Sequence, residues 1–389
     1  MKYLNATLKY IILFALVVFM LLGLKSGIAR GMLALIFCAI IYCSFRCIKY
    51  LSRIEICAIF VLLAVNTFYF LFSDVGRHSG FYANIVLNLG IFFFSHHLSS
   101  KGRLNEKEII VTYILLLIAT SYRFFVEEAE MLIENNDKRE TMNLAYAFVI
   151  YMPYVFYIKN KILSVVLVLF ALFMVLNGAK RGAIVIYLVT AIYYIYYGYI
   201  RESPKKKFKY IIIAIIGIII AIHLAKNIYT DNTYLQNRFE LTLEGNTNGR
   251  EYIYTAIWNK WINEQNFFCL LFGYGFCSSV DIAGNRAHND WLEMMATAGF
   301  VGEVTYIFYL TNLFRVRNRI KDVLDKRVIN LILLILVTKS FFSMSYCSVD
   351  NMAIFLLLGY VTGKNRRNIQ QNIILPDSKF QKQGEKVTT

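Results

Sequence analysis

Residues 201–229 read RESPKKKFKYIIIAIIGIIIAIHLAKNIY. The first nine of them carry five basic side chains, and the next twenty contain a single lysine and no Asp, Glu or Arg. A helix rises about 1.5 Å per residue, so twenty residues reach about 30 Å, the thickness of the hydrocarbon core of a bilayer. The stretch therefore predicts a transmembrane helix whose basic end stays in the cytoplasm.

Apolar runs of this kind recur along the whole chain. Its 389 residues are 58% hydrophobic and 17% charged, whereas soluble domains are about 45–50% apolar and about 25% charged. The length of the runs favours helices, because barrel strands alternate and need only about ten residues. We predict an all-α polytopic membrane protein with about twelve transmembrane helices. Their expected positions are residues 8–24, 28–45, 54–73, 81–98, 108–125, 142–158, 161–177, 181–200, 210–229, 289–314, 328–346 and 351–363.

The distribution of charge predicts the orientation. With the N-terminus in the cytoplasm, the charges nearer the cytoplasmic side sum to +18 and those nearer the outer side to −2. Residues 201–209 and 315–327 make the largest basic contributions, both on the cytoplasmic side. This bias has the sign that the positive-inside rule requires. The basic balance is thus an insertion signal that also attracts anionic lipid, and we expect no nucleic-acid partner.

One connection is much longer than the others and divides the chain. We expect residues 1–230 to hold helices one to nine, and residues 231–287 to form an outer loop. Residues 288–363 then hold helices ten to twelve, and residues 364–389 form a basic cytoplasmic tail. A loop longer than about 15 residues is usually functional or disordered. The outer loop is therefore the first place to look for a site.

The outer loop contains a helical pattern of its own at residues 251–265, EYIYTAIWNKWINEQ. Two interpretations of its apolar face stay open: the helix lies along the membrane interface, or it caps the transmembrane bundle. Cys269 and Cys277 lie in the same loop, and the sequence leaves open whether they form a disulfide. The residues that share the apolar face are Ile253, Ile257, Trp258, Trp261 and Ile262.

The seven cysteines lack zinc-type spacing, and there is no H-E-x-x-H, G-x-x-x-x-G-K-[ST] or G-x-S-x-G motif. Zinc protease, ATP-driven transport and serine hydrolase chemistry therefore lose support. We expect neither a metal nor a cofactor.

Three short segments meet at the predicted outer surface. Residues 178–182 read GAKRG and place Lys180 and Arg181 in a tight connection. Residues 249–251 read GRE and place Arg250 at a helix N-terminus, where an anion is favoured. Residues 287–291 read AHNDW and place His288 where the chain returns to the membrane. The following span would be a helix of about 39 Å, so we expect His288 in the interface with a pKa near 6.5.

In this order, GAKRG, the loop arginine, GYG at residues 273–275, AHNDWLE at 287–293 and AGFVG at 298–302 resemble the bacterial O-antigen ligase/O-antigen polymerase superfamily. These are membrane glycosyltransferases of surface-polysaccharide synthesis in the bacterial inner membrane, with one large periplasmic loop. The family pattern often has serine where this chain has Lys180. The resemblance implies a polyprenyl-pyrophosphate-linked oligosaccharide as the sugar donor, with both termini of the chain in the cytoplasm.

The resemblance also suggests roles for the residues at the outer surface. Arg181 and Arg250 would clamp the pyrophosphate, because a guanidinium fork matches phosphate oxygens. His288 would be the general base that takes the proton of the incoming sugar hydroxyl. Asp290 and Glu251 are the alternative bases. The expected substrate-binding residues are Lys180, Glu251, Asn289 and Asp290.

Polymerase, ligase and exporter remain as candidate functions. A polymerase transfers the growing glycan to the next lipid-linked repeat unit, and we favour it because the short, aromatic-rich chain resembles repeat-unit polymerases. A ligase would transfer the glycan to lipid A-core or to protein. A non-enzymatic exporter of the lipid-linked oligosaccharide would need polar residues through its middle, where Glu303 and Lys339 could instead pair. Membrane lipid is an expected partner, and a chain-length regulator protein is a candidate partner.

Overall fold

The computed structural model describes residues 2–23, 27–28, 31–34, 36, 53–73, 75–134, 140–201, 204–231, 233–245 and 249–374. Within these ranges every regular element is helical and there is no β-strand, as the sequence predicts. The first half of the described chain runs through α1 (Lys2–Leu22), α2 (Arg53–Leu71), α3 (Val75–Ser100), α4 (Glu106–Glu134), α5 (Ala145–Ile150), α6 (Lys161–Asn177) and α7 (Arg181–Ile195). The second half runs through α8 (Pro204–Asp231), α9 (Thr233–Leu243), α10 (Arg250–Ile262), α11 (Phe267–Phe272), α12 (Ser279–Ala283), α13 (Asp290–Arg319), α14 (Val323–Phe342) and α15 (Met352–Ile374).

Membrane-spanning helices are present, but the predicted count of about twelve is not confirmed. By length and composition, four helices of the described residues can cross a membrane: Ser79–Ser100, Glu106–Glu134, Arg181–Ile200 and Ile211–Thr230. Shorter apolar helices lie at Lys9–Leu22, Ile59–Leu71, Ala145–Tyr157 and Lys161–Asn177. The predicted span at residues 28–45 and the end of the predicted tail, from residue 375, lie largely outside the described residues.

Three predicted spans have different limits in the structure. The span at residues 142–158 is divided between α5 and a 3-10 helix, Met152–Tyr157, in which Pro153 supplies no N–H to continue an α-helix. The span at residues 328–346 ends earlier, with α14. The span at residues 351–363 is only the first part of the longer helix α15.

Among the described helices, α3 and α15 make the most extensive contact. Residues 352–363 of α15 are all buried. The Ser95 hydroxyl of α3 donates to the Leu356 carbonyl of α15 at 2.6 Å. A Cβ on Gly359 would collide with the Phe92 carbonyl, so the backbones touch at this point. Small residues allow this approach, as they do at helix interfaces inside membranes.

Helix α13 is not the straight helix predicted for residues 289–314. Gly299 has φ 56° and ψ −143°, values open to glycine, and it reverses the chain direction. The Tyr306 hydroxyl consequently donates to Asp290 Oδ2 at 2.6 Å. In a straight helix, residues sixteen apart would be separated by about 24 Å. The predicted helix of about 39 Å is therefore wrong: the part before Gly299 folds back on the part after it.

The reversal at Gly299 is held by residues 273–275 of the outer loop. The Tyr274 N–H donates to the Ala296 carbonyl, next to the break in the helix, at 2.8 Å. A Cβ on Gly299 would lie 2.5 Å from the Leu270 carbonyl oxygen, so a side chain there would clash with backbone. The GYG motif is therefore a backbone-packing element that shapes the end of the outer loop.

Polar contacts close the end of the bundle at which α14 begins. Lys364 Nζ lies 2.9 Å from Asp325 Oδ2, and the Tyr157 hydroxyl donates to Asp325 Oδ1 at 2.8 Å. Lys9 forms an ion pair with Glu108. These contacts join α1, α4, α14 and α15 at the end that lies away from the start of α7. The candidate site lies at the opposite end.

Candidate functional site

A cleft of about 560 Å³ opens where three helix ends meet. Helix α7 begins at Arg181, α10 begins at Arg250 and α14 ends at Phe342. Both arginines and Glu251 line the cleft, as the sequence-based grouping of these residues predicts. The structure thus brings together two cations that are far apart in the chain. The remaining lining residues are Gly182, Val185, Gly245, Tyr254, Thr255, Phe341 and Phe342.

Arg250 is anchored to the end of α14. Its Nη1 donates to the Phe342 carbonyl at 3.1 Å, and the Tyr146 hydroxyl donates to the same oxygen at 3.3 Å. A carbonyl in the last turn of a helix has no helical donor, so it is available to such side chains. A guanidinium has five N–H groups. Arg250 can therefore keep this anchor and still offer donors to a ligand in the cleft.

Arg181 reaches the cleft because α7 packs closely against its neighbours. Lys180 is half-buried and directly precedes α7, and Arg181 is the first residue of that helix. A Cβ on Gly182 would collide with the Tyr146 hydroxyl and lie 3.1 Å from Phe342 Cβ. Since residue 182 has no side chain, the head of α7 lies directly beside the end of α14.

His288 has a strained backbone conformation just before α13. Its φ is 49°, a value that costs a residue with a Cβ about 1–3 kcal/mol. The preceding residue, Ala287, donates its N–H to Glu293 Oε2 at 3.2 Å, and the Ser279 hydroxyl donates to the same oxygen at 2.7 Å. Glu293 is completely buried. The surrounding structure thus imposes on His288 a conformation that the chain would not otherwise favour.

Three basic side chains from separate segments act on His288. Burial, followed by the positive charges of Arg250, Lys180 and Arg286, lowers the pKa of His288 to about 4. The expected pKa near 6.5 is therefore wrong, because the imidazole is neither fully solvated nor electrostatically isolated. At neutral pH, His288 carries no charge and can accept a proton.

Arg286 belongs to this group although the sequence analysis did not select it. Its guanidinium lies over the Phe81 ring, and its charge acts on both His288 and Glu293. The feature of the sequence that could have indicated Arg286 was its position two residues before His288. An arginine in a polar loop is common, however, and only the fold brings Arg286 to the other cations.

Asn289 and Asp290 have structural partners. Asn289 Oδ1 caps α13 by accepting the N–H of Trp291 at 3.0 Å and of Leu292 at 3.1 Å. Asp290 is 0% exposed, and its Oδ1 accepts the N–H of Ser345 at 2.7 Å. Its other oxygen accepts the tyrosine hydroxyl that crosses the α13 reversal. Contact of Asn289 and Asp290 with substrate stays a prediction.

The apolar face of α10 is buried along one edge and exposed along the other. The helix begins after Gly249, whose φ is 75°, and Glu251 lies exposed in its first turn, where the helix dipole favours an acid. Ile253 and Ile257 are buried in a small core shared with α12 and α13. Trp258 is 45% exposed. Residues along one edge of the face therefore pack against the segments around the α13 reversal, and Trp258 on the other edge is exposed to the surroundings.

Two side-chain pairings considered from the sequence are not formed. Cys269 and Cys277 are free thiols. Lys339 is buried and donates to Asn351 Oδ1 at 3.1 Å. Glu303 Oε1 has no hydrogen-bond partner in the described part of the chain. The expected pairing of Glu303 with Lys339 is therefore wrong, because Lys339 points to the start of α15.

An apolar groove of about 470 Å³ lies between α6, α7 and α8. Helix α7 contributes Ile184, Leu188 and Ile192, which follow one another along one face of the helix. Val185, next to Ile184, lines the cationic cleft. The cleft and the groove thus adjoin along α7, and the groove begins one turn from Arg181.

Comparison with known proteins adds a family match. Residues 165–307 match the protein-family model described as O-antigen ligase. The matched range contains Arg181, Arg250 and His288, and it also contains the reversal at Gly299. A search of curated proteins finds none that matches the chain. The match over residues 165–307 supports the resemblance of this part of the chain to the O-antigen ligase/polymerase superfamily.

Proposed function

We propose that this protein is a membrane glycosyltransferase that polymerises polyprenyl-pyrophosphate-linked oligosaccharide repeat units of O-antigen, capsule or exopolysaccharide. The observation that carries this proposal is the cationic cleft beside a neutral histidine. Arg181 and Arg250 line the cleft, and Lys180 acts with Arg250 on His288. Guanidinium groups bind phosphate oxygens through paired hydrogen bonds, which suits a pyrophosphate.

The apolar groove supports a lipid-linked donor. A donor whose pyrophosphate lies at Arg181 can extend its polyprenyl chain along α7, over Ile184, Leu188 and Ile192. The polyprenyl chain lies in apolar surroundings in the bilayer as well as in the groove, so the groove would orient the donor by packing contacts and would add no sugar specificity. The same helix would then orient both the head and the tail of the donor.

The chemistry follows from charge development at the donor. The acceptor hydroxyl attacks the anomeric carbon, a new carbon–oxygen bond forms, and the bond from that carbon to the pyrophosphate oxygen breaks. The negative charge that grows on the leaving pyrophosphate is stabilised by Arg181 and Arg250. His288 takes the hydroxyl proton. Direct displacement inverts the anomeric centre, and the arginines supply the positive charge that a metal provides in other phosphate sites, so we expect no metal requirement.

The acceptor distinguishes the candidate functions. In a polymerase the acceptor is the next lipid-linked repeat unit, and in a ligase it is lipid A-core or protein. The description of the matched family favours the ligase, whereas the short, aromatic-rich chain favours the polymerase, which we retain. An exporter is less consistent with cations and a neutral base gathered at one end of the bundle.

The proposed reaction takes place at the outer face of the bacterial inner membrane. The charge bias puts the connection before α14 and both termini in the cytoplasm, so the cleft at the other end of α14 faces outward. Lipid-linked oligosaccharide and membrane lipid are then the immediate partners. A chain-length regulator protein would be a further partner on the same side.

The test uses purified full-length protein with a synthetic polyprenyl-pyrophosphate-linked repeat unit, without and with lipid A-core. We expect release of polyprenyl pyrophosphate together with lipid-linked glycans of two or more repeat units. Glycan found only on lipid A-core would replace the polymerase with the ligase. Absence of both lipid pyrophosphate release and glycan transfer would contradict an enzymatic function.

A further inference from the structure

The buried contacts of Asp290 set it apart from the other acidic residues near the cleft. Both of its oxygens are in use, one by the Tyr306 hydroxyl at 2.6 Å and one by the Ser345 N–H at 2.7 Å. The side chain is 0% exposed. A base must reach the proton that it removes, so Asp290 in this position cannot serve the acceptor hydroxyl.

The partners of Asp290 tie three segments together. Tyr306 lies on the far side of the α13 reversal, and Ser345 lies just after the end of α14. The Tyr306 ring also meets the Trp291 ring edge-on at 5.1 Å, and Trp291 Nε1 donates to the Ser340 hydroxyl at 3.1 Å. The first turn of α13 is thus fastened both to its own second half and to α14.

The same end of α14 holds the arginine of the cleft. The Phe342 carbonyl accepts Arg250 Nη1 at 3.1 Å, and the neighbouring Phe341 carbonyl accepts Asn289 Nδ2 at 3.4 Å. Asp290 binds Ser345 a few residues further on. The segment after α14 therefore acts as a common support, which fixes the start of α13 relative to Arg250.

His288 lies immediately before this fastened turn. Its φ of 49° is held on one side by the hydrogen bond from Ala287 to Glu293 and on the other by Asn289 and Asp290. A strained residue keeps its conformation only where its neighbours over-determine it. Loosening Asp290 would let the imidazole move away from the cleft.

We propose that Asp290 and Tyr306 are positioning residues, whose buried carboxylate–phenol contact fixes the separation of His288 from Arg250. This inference rests on the proposed function, in which His288 is the base. Donor affinity depends on Arg250 and its anchor at Phe342, which the Asp290–Tyr306 contact does not include. Loss of the contact should therefore lower turnover and leave donor affinity nearly unchanged.

The experiment compares Tyr306→Phe with Tyr309→Phe in purified full-length protein. Both substitutions remove one buried hydroxyl from α13, but the Tyr309 hydroxyl has no hydrogen-bond partner among the described residues. We expect Tyr306→Phe to lower kcat by about 10- to 100-fold, the scale of a misplaced catalytic group. Its donor dissociation constant should stay close to wild type. Tyr309→Phe should have wild-type turnover.

Asp290→Asn is the second variant. Its amide oxygen can still accept one of the two hydrogen bonds, but its NH2 group would face the other donor and cannot accept a hydrogen bond from it. We expect it to lower kcat at least as much as Tyr306→Phe. Wild-type kcat in Tyr306→Phe overturns the proposal, as does a loss explained entirely by less folded protein. An acid limb that moves in Tyr306→Phe while His288→Ala stays active would make Asp290 the base. Failure of the proposed function itself is distinguishable, because the wild type would then release no polyprenyl pyrophosphate.

Discussion

At the scale of single residues, His288 combines a neutral side chain with cationic surroundings. A pKa of about 4 makes it a weak base in the empty cleft. A bound pyrophosphate would place negative charge beside the same cations and offset Arg250, Lys180 and Arg286. Negative charge near a histidine favours its protonated form and raises its pKa. The histidine should therefore become a stronger base only when the donor is bound.

The first prediction concerns the pH dependence of turnover. Neutral His288 is the active form, so activity is lost as pH falls through its pKa. We expect kcat/KM, which reports the free protein, to hold as pH falls through 6.5 and to decline only near pH 4. The acid limb of kcat, which reports the donor complex, should lie at higher pH. The measurement is a pH–rate profile of the purified wild type.

Arg286→Gln provides the comparison for this profile. It removes one of the positive charges that lower the pKa of His288. The acid limb of kcat/KM should therefore move to higher pH. A limb near 6.5 in both proteins would show that the surrounding cations do not act on the base.

The second prediction concerns the two arginines of the cleft. Arg181→Ala and Arg250→Ala should nearly abolish polymer formation while the protein still accumulates in the membrane. Lysine at either position should restore activity only in part, because an ammonium is a point charge and cannot replace a bidentate fork. Polymer yield and protein level in membranes are the measurements. Full activity of a lysine variant would show that the arginine at that position contributes only positive charge.

The sequence could group Arg181, Arg250 and His288 as candidate site residues, because their motifs follow one another in a recognisable order. It could not assign Asp290 to a buried contact. The partner, Tyr306, lies sixteen residues away and meets Asp290 only because the helix reverses. The sequence does not indicate Arg286 for the same reason, because its contacts depend on how the chain packs.

At the scale of elements, the reversal of α13 is the feature that shapes the site. Hydropathy cannot show it, because averaging over residues 289–314 merges the parts before and after Gly299 into one predicted span. The information lies in Gly299, whose φ of 56° with ψ of −143° favours glycine, and in Gly273, which packs on it. A pair of glycines far apart in the sequence gives no signal of mutual contact. The existence of helix in this segment was predictable from the sequence, and the reversal of its direction was not.

The third prediction is that Gly299→Ala destabilises the folded protein. The Gly299 backbone, with φ 56° and ψ −143°, costs a residue with a Cβ about 1–3 kcal/mol, and the new methyl group would meet the Leu270 carbonyl oxygen at 2.5 Å. The measurements are thermal midpoint and the yield of monodisperse protein in detergent. Gly217→Ala in α8 is the control, because its Cβ would meet only Val165 Cγ1, at 3.2 Å. Equal midpoints for the two variants would contradict the reversal.

At the scale of the whole molecule, the basic connections predict the orientation. The fourth prediction is that Lys321 faces the cytoplasm and Asn285 faces outward. Single cysteines at these exposed positions, in a protein without its native cysteines, would be labelled with a membrane-impermeant thiol reagent in intact cells. We expect Asn285→Cys to react and Lys321→Cys to react only after lysis. The opposite pattern would put the cleft in the cytoplasm, away from the proposed reaction.

The helical class of the molecule was predictable from composition and run length, since a bilayer leaves few alternatives to helices. The packing of the helices was less predictable from the sequence, because both lipid-facing and buried positions are apolar and periodicity cannot separate them. The buried pair α3 and α15 illustrates this limit. Gly359 and Ser95 bring the two backbones together, yet residues 351–363 read as the shortest of the predicted spans.

The most direct test of the proposed division of roles measures donor affinity and turnover in Arg250→Ala and His288→Ala, with the polyprenyl-pyrophosphate-linked repeat unit. Arg250→Ala should weaken donor binding by about 10- to 100-fold, the cost of losing charge-assisted hydrogen bonds. His288→Ala should bind the donor nearly as the wild type does and lose about 10²- to 10⁴-fold in turnover, as expected for a general base. Wild-type turnover in His288→Ala, or loss of its donor binding, would contradict this account.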